Sequence, residues 1–324
     1  MLVLRLVLIK FHYQSDKAFI MKYPTLLLST CVLRISPMRP LISFQRKVFT
    51  SAMEDHVKRT IKSYRQYAMS DASVMEIEVL SPTVLGLKLI VNDHNLTFCA
   101  GQWVDVFIPN ISQIGGFSMC SPPLLMEQSH QIHLAVKKSS WPPAEWVHSS
   151  CKAGDKVQIR VGGDFYYDPP SNSQIPDLVF IAGGVGINPL LSIMLHLKTL
   201  FQTPNNEDNL PKRITLLHCA KQIEELLFQE TISELKNALN KTFDYHYFVT
   251  RPTVSLAKQE DIRNCQFKES RITEEDLRMV ISKSNKIDNL ICFICGPPPM
   301  TDHFCSQLAN MGVLPNQIKY EKWW

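Results

Sequence analysis

Between residues 73 and 161 the apolar positions fall in short runs, at 73–80, 84–91, 102–108, 131–137 and 156–161, with Pro, Gly, Asn and Ser between them. Short runs broken by turn formers read as strands. Closely spaced strands with one helix, expected over 142–149, predict an antiparallel barrel. Past residue 176 the rhythm changes. Continuous apolar runs at 178–182, 214–218, 244–249 and 290–295 alternate with segments of helical periodicity at 189–200, 224–239, 273–284 and 299–311. Strands apolar on both faces, alternating with helices, predict a doubly wound parallel sheet. Thr273-Glu274-Glu275-Asp276 has the spacing of a capping box, and Gly312 stands where a helix stops. Proline and small polar residues over 168–176 mark a linker between the two halves, and polar residues 54–70 predict a helix or a second linker.

Composition narrows the class. A chain of 324 residues, 45% apolar and 20% charged, has room for two globular domains and is neither disordered nor fibrous. The net charge of +4 is unevenly spread: residues 1–53 hold eight Lys/Arg against Asp16 alone, leaving the remainder at −3. A mildly acidic folded part argues against a nucleic-acid partner. The basic segment has no acid from Met21 to Met53 and is rich in Arg, Ser and Leu. That is the composition of a mitochondrial presequence; a disordered basic arm and a secretory signal are the alternatives. The apolar run from Met1 to Ile9 is broken by Arg5, short of the about 20 residues a spanning helix needs, so no transmembrane segment is expected. Nine cysteines at irregular spacing do not make a disulfide framework. Cys292 and Cys295, three apart on an expected strand, point to opposite faces and cannot share a metal.

The candidate chemistry begins at Gly183-Gly184-Val185-Gly186-Ile187-Asn188-Pro189, between an expected strand and an expected helix. Glycine there lets backbone approach a pyrophosphate and permits positive φ, while the helix N-terminus faces the anion. Pro189 suits a first helical turn. As G-x-G-x-x-G the match fails at Pro189, and the second strand ends His218-Cys219-Ala220-Lys221 without the acid that would bind a ribose. On glycine count alone, a plain strand–helix turn is an equal reading. No P-loop, H-E-x-x-H, nucleophile elbow or plant-type iron–sulfur spacing is present in the sequence.

A second element makes the loop specific. Phe293-Ile-Cys-Gly-Pro-Pro-Pro-Met300 follows the last apolar strand. Together with Gly183–Pro189 it resembles the pyridine-nucleotide domain of the ferredoxin–NADP reductase-like flavoproteins, a group that includes cytochrome b5 reductase, and the resemblance runs from about residue 73 to 324. It implies a flavin-binding barrel over 71–171 and a dinucleotide-binding domain over 177–324, which follow the presequence expected from composition at 1–53 and the polar segment 54–70. It implies that Gly184, Val185, Gly186, Ile187, Asn188 and Pro189 cradle the NAD pyrophosphate, that Cys295 and Gly296 flank the nicotinamide, and that residues 297–300 shape the pocket wall. His218 and Lys221 would stand near the adenosine ribose. The family's flavin motif, Arg-x-Tyr-Ser/Thr, corresponds to Gly115-Gly116-Phe117-Ser118. Phe117 would stack on the flavin and Ser118 would reach its edge, but Gly115 replaces the phosphate-binding Arg. Lys137 or Lys138 could substitute, or be solvated strand-end charges. A second phosphate motif falls at 140–146, without glycine and with Glu145. Trp323 and Trp324 would cover the flavin, or simply close a strand. The implied function is an NAD(P)H-dependent flavin oxidoreductase, with NAD or NADP as donor, FAD as the flavin, and an acceptor the sequence does not name. The alternative is a non-catalytic NAD(H)-binding module with a degenerate flavin site. No residue is singled out as catalytic.

Overall fold

The computed structural model describes residues 56–169, 175–204, 210–252, 266–284 and 287–323. The expected presequence at 1–53 lies outside them, as do part of the 168–176 linker and Trp324. Of the helix or linker expected over 54–70, one turn is helical, α1 (His56–Arg59). The rest is a strap, bridged to the barrel at Arg65 and Gly162. Strands β1 (Ser70–Ser81), β2 (Val84–Val91), β3 (Trp103–Phe107), β4 (Gly115–Ser118), β5 (Gln131–Lys137) and β6 (Lys156–Gly162) form an antiparallel sheet in the order β4-β3-β6-β1-β2-β5. A bridge between Met119 and Leu134 returns β5 to the end of β4 and curls the sheet on itself. Helices α2 (Pro123–Ser129), which the apolar pattern did not announce, and α3 (Pro142–Ser149) both begin with proline, which needs no intrahelical donor there. Strand alternation sends Val104 and Val106 into the core with Leu87, Leu89, Leu134 and Ile159. It leaves Trp103 and Asp105 on the opposite face, under the strap.

The second half is a parallel sheet. Strands β7 (Asp177–Gly183), β8 (Ile214–Ala220), β9 (Phe243–Val249), β10 (Gln266–Lys268), β11 (Leu290–Gly296) and β12 (Ile318–Lys322) stand in the order β10-β9-β8-β7-β11-β12. Helices α4 (Ile187–Phe201) and α5 (Gln229–Leu239) cover one face; α6 (Glu274–Ser282) and α7 (Pro298–Asn310) cover the other. The expected capping box opens α6, with Thr273 and Asp276 exchanging side-chain and backbone bonds. The helix expected from 224 starts five residues late, because Phe228 takes φ 61° and separates a 3-10 turn at Ile223–Glu225 from α5. Cys292 and Cys295 point into the two different layers and both are free thiols, as alternation requires.

Two features of this half set up the site. The strand order reverses between β7 and β11, so β7 pairs with both β8 and β11. A crevice at the carboxyl ends of the strands is expected at such a reversal. Helix α4 is buried on both sides, with Leu190, Leu191, Ile193, Met194 and Leu197 in the core. Among the described residues, Gly184–Phe201 is the segment long and apolar enough to cross a bilayer, and its apolar side chains are spent on this interior. Each contributes roughly 1.5–3 kcal/mol by burial. Its buried polar residues fix direction: Ser192 Oγ donates to the Ser121 carbonyl (2.7 Å) and Asn188 Nδ2 to the Ala135 carbonyl (2.8 Å), one helical turn apart, both on the barrel.

Candidate cofactor site at the junction of barrel and sheet

The loop after β7 is a 3-10 turn, Gly184–Gly186, leading straight into α4. Its glycines have different tasks. Gly184 has φ +54°, and a Cβ there would meet nothing within 4 Å. It is the open position. A Cβ on Gly186 would lie 2.2 Å from the Cys295 carbonyl oxygen and 2.8 Å from the Gly296 nitrogen, so this glycine lets α4 lie on the end of β11. Gly183 does the same against Met300, whose sulfur would be 2.6 Å from its Cβ. Beneath the loop, His218 Nε2 donates to the Gly184 carbonyl at 3.3 Å. Burial pushes this imidazole down to about 4 against the opposing effect of that bond, so it is neutral at pH 7. The two ends of a trans peptide point opposite ways. A Gly184 carbonyl drawn inward onto His218 therefore turns the Val185 N–H outward, toward the open corner, where an anion would accept it.

Next to this corner lies a cavity of about 130 Å³ lined from four sides. β4 supplies Phe117 and Ser118, and the start of α3 supplies Trp141. The loop supplies Val185 and Asn188, and the chain's end supplies Glu321 and Trp323. Glu321 ties the sides together: its Oε2 accepts from Ser118 Oγ (3.2 Å) and from Trp323 Nε1 (2.8 Å). Burial pushes its carboxyl up to about 7, although both hydrogen bonds pull the other way. Trp323 is also held by its backbone N–H on the Gly296 carbonyl (3.0 Å). Asn188 Oδ1 is buried without a hydrogen-bond partner while its residue lines this cavity. Aromatic faces, a hydroxyl and an unmatched acceptor suit a planar heteroaromatic ring with hydrogen-bonding edges.

The strap forms a further side, with His56, Arg59 and Thr60 on the lining. Asp105, its side chain fully buried on β3, accepts from His56 Nε2 (2.9 Å), Arg65 Nε (2.9 Å) and Arg160 Nη2 (2.6 Å). Burial alone would raise this carboxyl; the bonds from His56, Arg160 and Arg65 outweigh it and hold the group below its ordinary value. The His56 ring meets Trp103 edge-on at 4.8 Å and lies nearly parallel to Trp323, 14° and 5.7 Å away. It sits where a side chain on position 116 would be, since a Cβ on Gly116 would fall 2.2 Å from the imidazole.

Comparison with known proteins accords with this arrangement. Residues 180–306 match the oxidoreductase NAD-binding domain family. The human oxidoreductase NAD-binding domain-containing protein 1 is 43% identical over 276 residues, which cover 83% of this chain and 85% of that one. The chain belongs to the oxidoreductase NAD-binding domain-containing protein 1 family. Its fold is that of ferredoxin–NADP reductases. The Amycolatopsis cytochrome P450 reductase GcoB superimposes with a TM-score of 0.63 at 20% identity, covering 79% of this chain and 69% of that one. A ferredoxin–NADP reductase from Neisseria gonorrhoeae, solved with FAD and NADP, gives 0.61 at 18%, covering 79% and 99%.

In this member of the family the expected site residues do not all converge. Phe117, Ser118, Val185 and Asn188 meet at the cavity, and Gly184 opens beside it. Ile187 and Pro189 are core residues, Gly186 is packed on β11, and Asn188 spends its amide N–H on the barrel. Cys295 and Gly296 are buried and act through their backbones; burial and the nearby Glu321 carboxylate raise the Cys295 thiol well above its ordinary value. His218 lies under the loop, fully buried and bonded to the Gly184 carbonyl, whereas Lys221 is exposed. Lys137 lines the cavity, 3.5 Å from Glu225, and Glu145 is exposed and does not line it. Gly115 does not merely lack an Arg. A Cβ there would lie 2.6 Å from the Phe117 ring and 2.9 Å from Pro143, so the position is closed. The sequence reading missed His56, Arg59, Asp105 and Glu321. One signal was available: an Asp in the apolar strand Trp103-Val-Asp-Val-Phe107 needs buried cations somewhere in the chain.

Proposed function

We propose that this chain is an NAD(P)H-dependent flavin oxidoreductase that takes hydride from a dinucleotide on the Gly184–Val185 corner and passes electrons to an acceptor outside the molecule. The observation that carries this reading is the single cavity walled jointly by Phe117 and Ser118 of the barrel and by Val185 and Asn188 of the sheet. It is supported by the unmatched Asn188 Oδ1, an acceptor for a ring-edge or carboxamide N–H. A flavin, when bound, supplies the conversion of a hydride pair into single electrons. The chain's own residues supply position and a proton. Gly184, with Val185 N–H turned out by His218, holds the pyrophosphate end. Phe117 and Trp141 offer faces for the flavin ring. Trp323 lies over the cavity and yields its place to nicotinamide. Glu321, its carboxyl pushed up to about 7 by burial, carries a proton up to near-neutral pH and can exchange it with the Ser118 hydroxyl that its Oε2 accepts from. The end of β8, His218-Cys219-Ala220-Lys221, carries no acid to accept ribose hydroxyls, so the sequence there selects neither NAD nor NADP.

The visible spectrum tests this. Full-length protein given FAD should retain bands at about 450 nm that bleach on adding NADH. A second reading, an NAD(H)-binding module without redox turnover, is favoured by the closure of position 115. It predicts a protein that stays colourless with FAD yet is stabilised against heat by NAD. We also assign residues 1–53 to mitochondrial import on their charge. A C-terminal fluorescent fusion that loses mitochondrial location when 1–53 are deleted is the expected result.

A further inference from the structure

The junction cavity is smaller than the ligand its walls suit. Small-molecule sites run to about 300–1,000 Å³; this one holds about 130 Å³. A planar ligand of two or three rings therefore enters only when a wall moves. Most of the walls are fixed. Phe117 and Ser118 stand on β4, paired with β3. Trp141 precedes α3, whose Ala144 and Val147 sit in the barrel core. Val185 and Asn188 belong to the loop and the buried start of α4. The remaining walls are the strap and residues 321–323, and they meet. The His56 ring and the Trp323 indole form an offset stack, 14° from parallel with centroids 5.7 Å apart.

The strap is fixed at one end. From Tyr64 onward backbone holds it, with the Gly163 N–H on the Tyr64 carbonyl and the Gln66 N–H on the Val161 carbonyl, both 2.9 Å. Ahead of that point side chains take over. His56 Nε2 donates to Asp105 Oδ1 (2.9 Å), and the Thr60 carbonyl accepts from Arg65 (2.6 Å), itself bonded to Asp105. Asp105 does not depend on His56. Its Oδ2 keeps Arg65 and Arg160, so the imidazole can leave without stranding a buried carboxylate, which is the costly event. The recess that holds the imidazole is the missing side chain of Gly116, where a Cβ would lie 2.2 Å from the ring.

We propose that His56 clamps Trp323 and so controls entry to the cavity: a planar ring goes in when the imidazole leaves the Gly116 recess and frees the indole. The proposal rests on the ring-binding reading above and adds to it the residue that governs access. His56 is a positioning residue, acting through Trp323. A clamp of this kind lowers apparent affinity by the fraction of chains that stand open. Removing it tightens ring binding, the opposite sign from deleting a residue that holds the ligand.

The test uses the full chain and three probes: riboflavin, NADH, and ADP-ribose, which keeps the pyrophosphate and lacks the nicotinamide ring. Stopped-flow mixing with riboflavin, followed by flavin fluorescence, gives the association rate, and equilibrium titrations give the affinities. His56→Ala should speed riboflavin association and tighten riboflavin and NADH binding by about ten-fold, leaving ADP-ribose within about two-fold. Gly116→Ala, whose new methyl takes the recess from His56, should act in the same direction. The double variant should go no further than the stronger single one, because both release the same contact. Weaker or unchanged riboflavin binding in both single variants would overturn the clamp. So would an equal gain for ADP-ribose, which marks a general loosening of the chain. If neither wild type nor either variant binds any of the three probes, the ring-binding reading itself falls. That outcome is distinct from a wild type that binds and variants that match it, which removes the clamp alone.

Discussion

The two corners of the junction use glycine in opposite ways. At the end of β7, Gly184 clears space that stays open, and its carbonyl is held beneath the loop by His218. On β4, Gly116 clears space that the chain itself refills with His56, and Gly115 is pressed against Phe117 and Pro143. One residue type thus marks a ligand approach in one place and self-packing in the other. The loop corner is made by a single local turn at the end of a parallel strand. The barrel-side corner is assembled from a barrel strand, residues 321–323 and a strap that precedes the barrel. The first kind of site survives in sequence as a motif; the second does not.

Substitutions can sharpen this contrast. The largest effect should come from Gly186→Ala. Its Cβ would lie 2.2 Å from a β11 carbonyl, so backbone must move, and destabilisation of about 3 kcal/mol or more is expected in urea unfolding. Gly184→Ala, with open space but positive φ, should cost only about 1–2 kcal/mol. If the two ranked the other way, the division of labour within the loop would be wrong. Asp105→Ala comes next, because it leaves His56, Arg65 and Arg160 without their shared carboxylate; about 3 kcal/mol is expected, since both arginines keep some access to water. A carboxyl whose folded value is lowered contributes above the unfolded value of about 3.9 and loses that contribution as pH falls through the folded value. Wild type and Asp105→Ala should therefore converge in stability in strong acid and diverge at neutral pH. A constant gap at all pH values would remove the charge argument.

Smaller effects address the ligand side. His218→Phe keeps an aromatic ring of similar size but deletes the donor to Gly184, so NADH should bind about ten-fold more weakly by fluorescence titration with little change in fold. His218→Gln, which can place an amide N–H near the same point, should recover part of it. The mildest is Glu321→Gln. A carboxyl raised to about 7 in the folded chain makes stability decline as pH rises from the ordinary glutamate range toward 7 and level off above it. The Gln variant should lack that slope in urea unfolding followed across pH.

Much of the architecture was legible without coordinates. The change from closely spaced strands to strand–helix alternation gave the two halves, and the capping box at Thr273 gave the start of α6. The loop and the Cys295-Gly-Pro-Pro-Pro-Met300 stretch announced a nucleotide domain through their resemblance to a known family, and such motifs can carry a resemblance because a tight turn, an apolar strand and a proline start act within a few residues. The strap was not legible. Its residues are polar and follow no period, and what orders them is a carboxylate 49 positions from His56 and 40 from Arg65. Local pattern carries no information about such a partner.

By itself, then, the sequence determined which segments become strands and helices, which of their faces are apolar, and where backbone is bare enough to approach a phosphate. Only the tertiary structure decided which bare positions remain bare. That is a matter of what other atoms arrive: Cys295 on Gly186, His56 on Gly116, Phe117 and Pro143 on Gly115, and nothing on Gly184. Glycine states the absence of a side chain, and the packing of distant segments determines whether a ligand or the protein takes up the room.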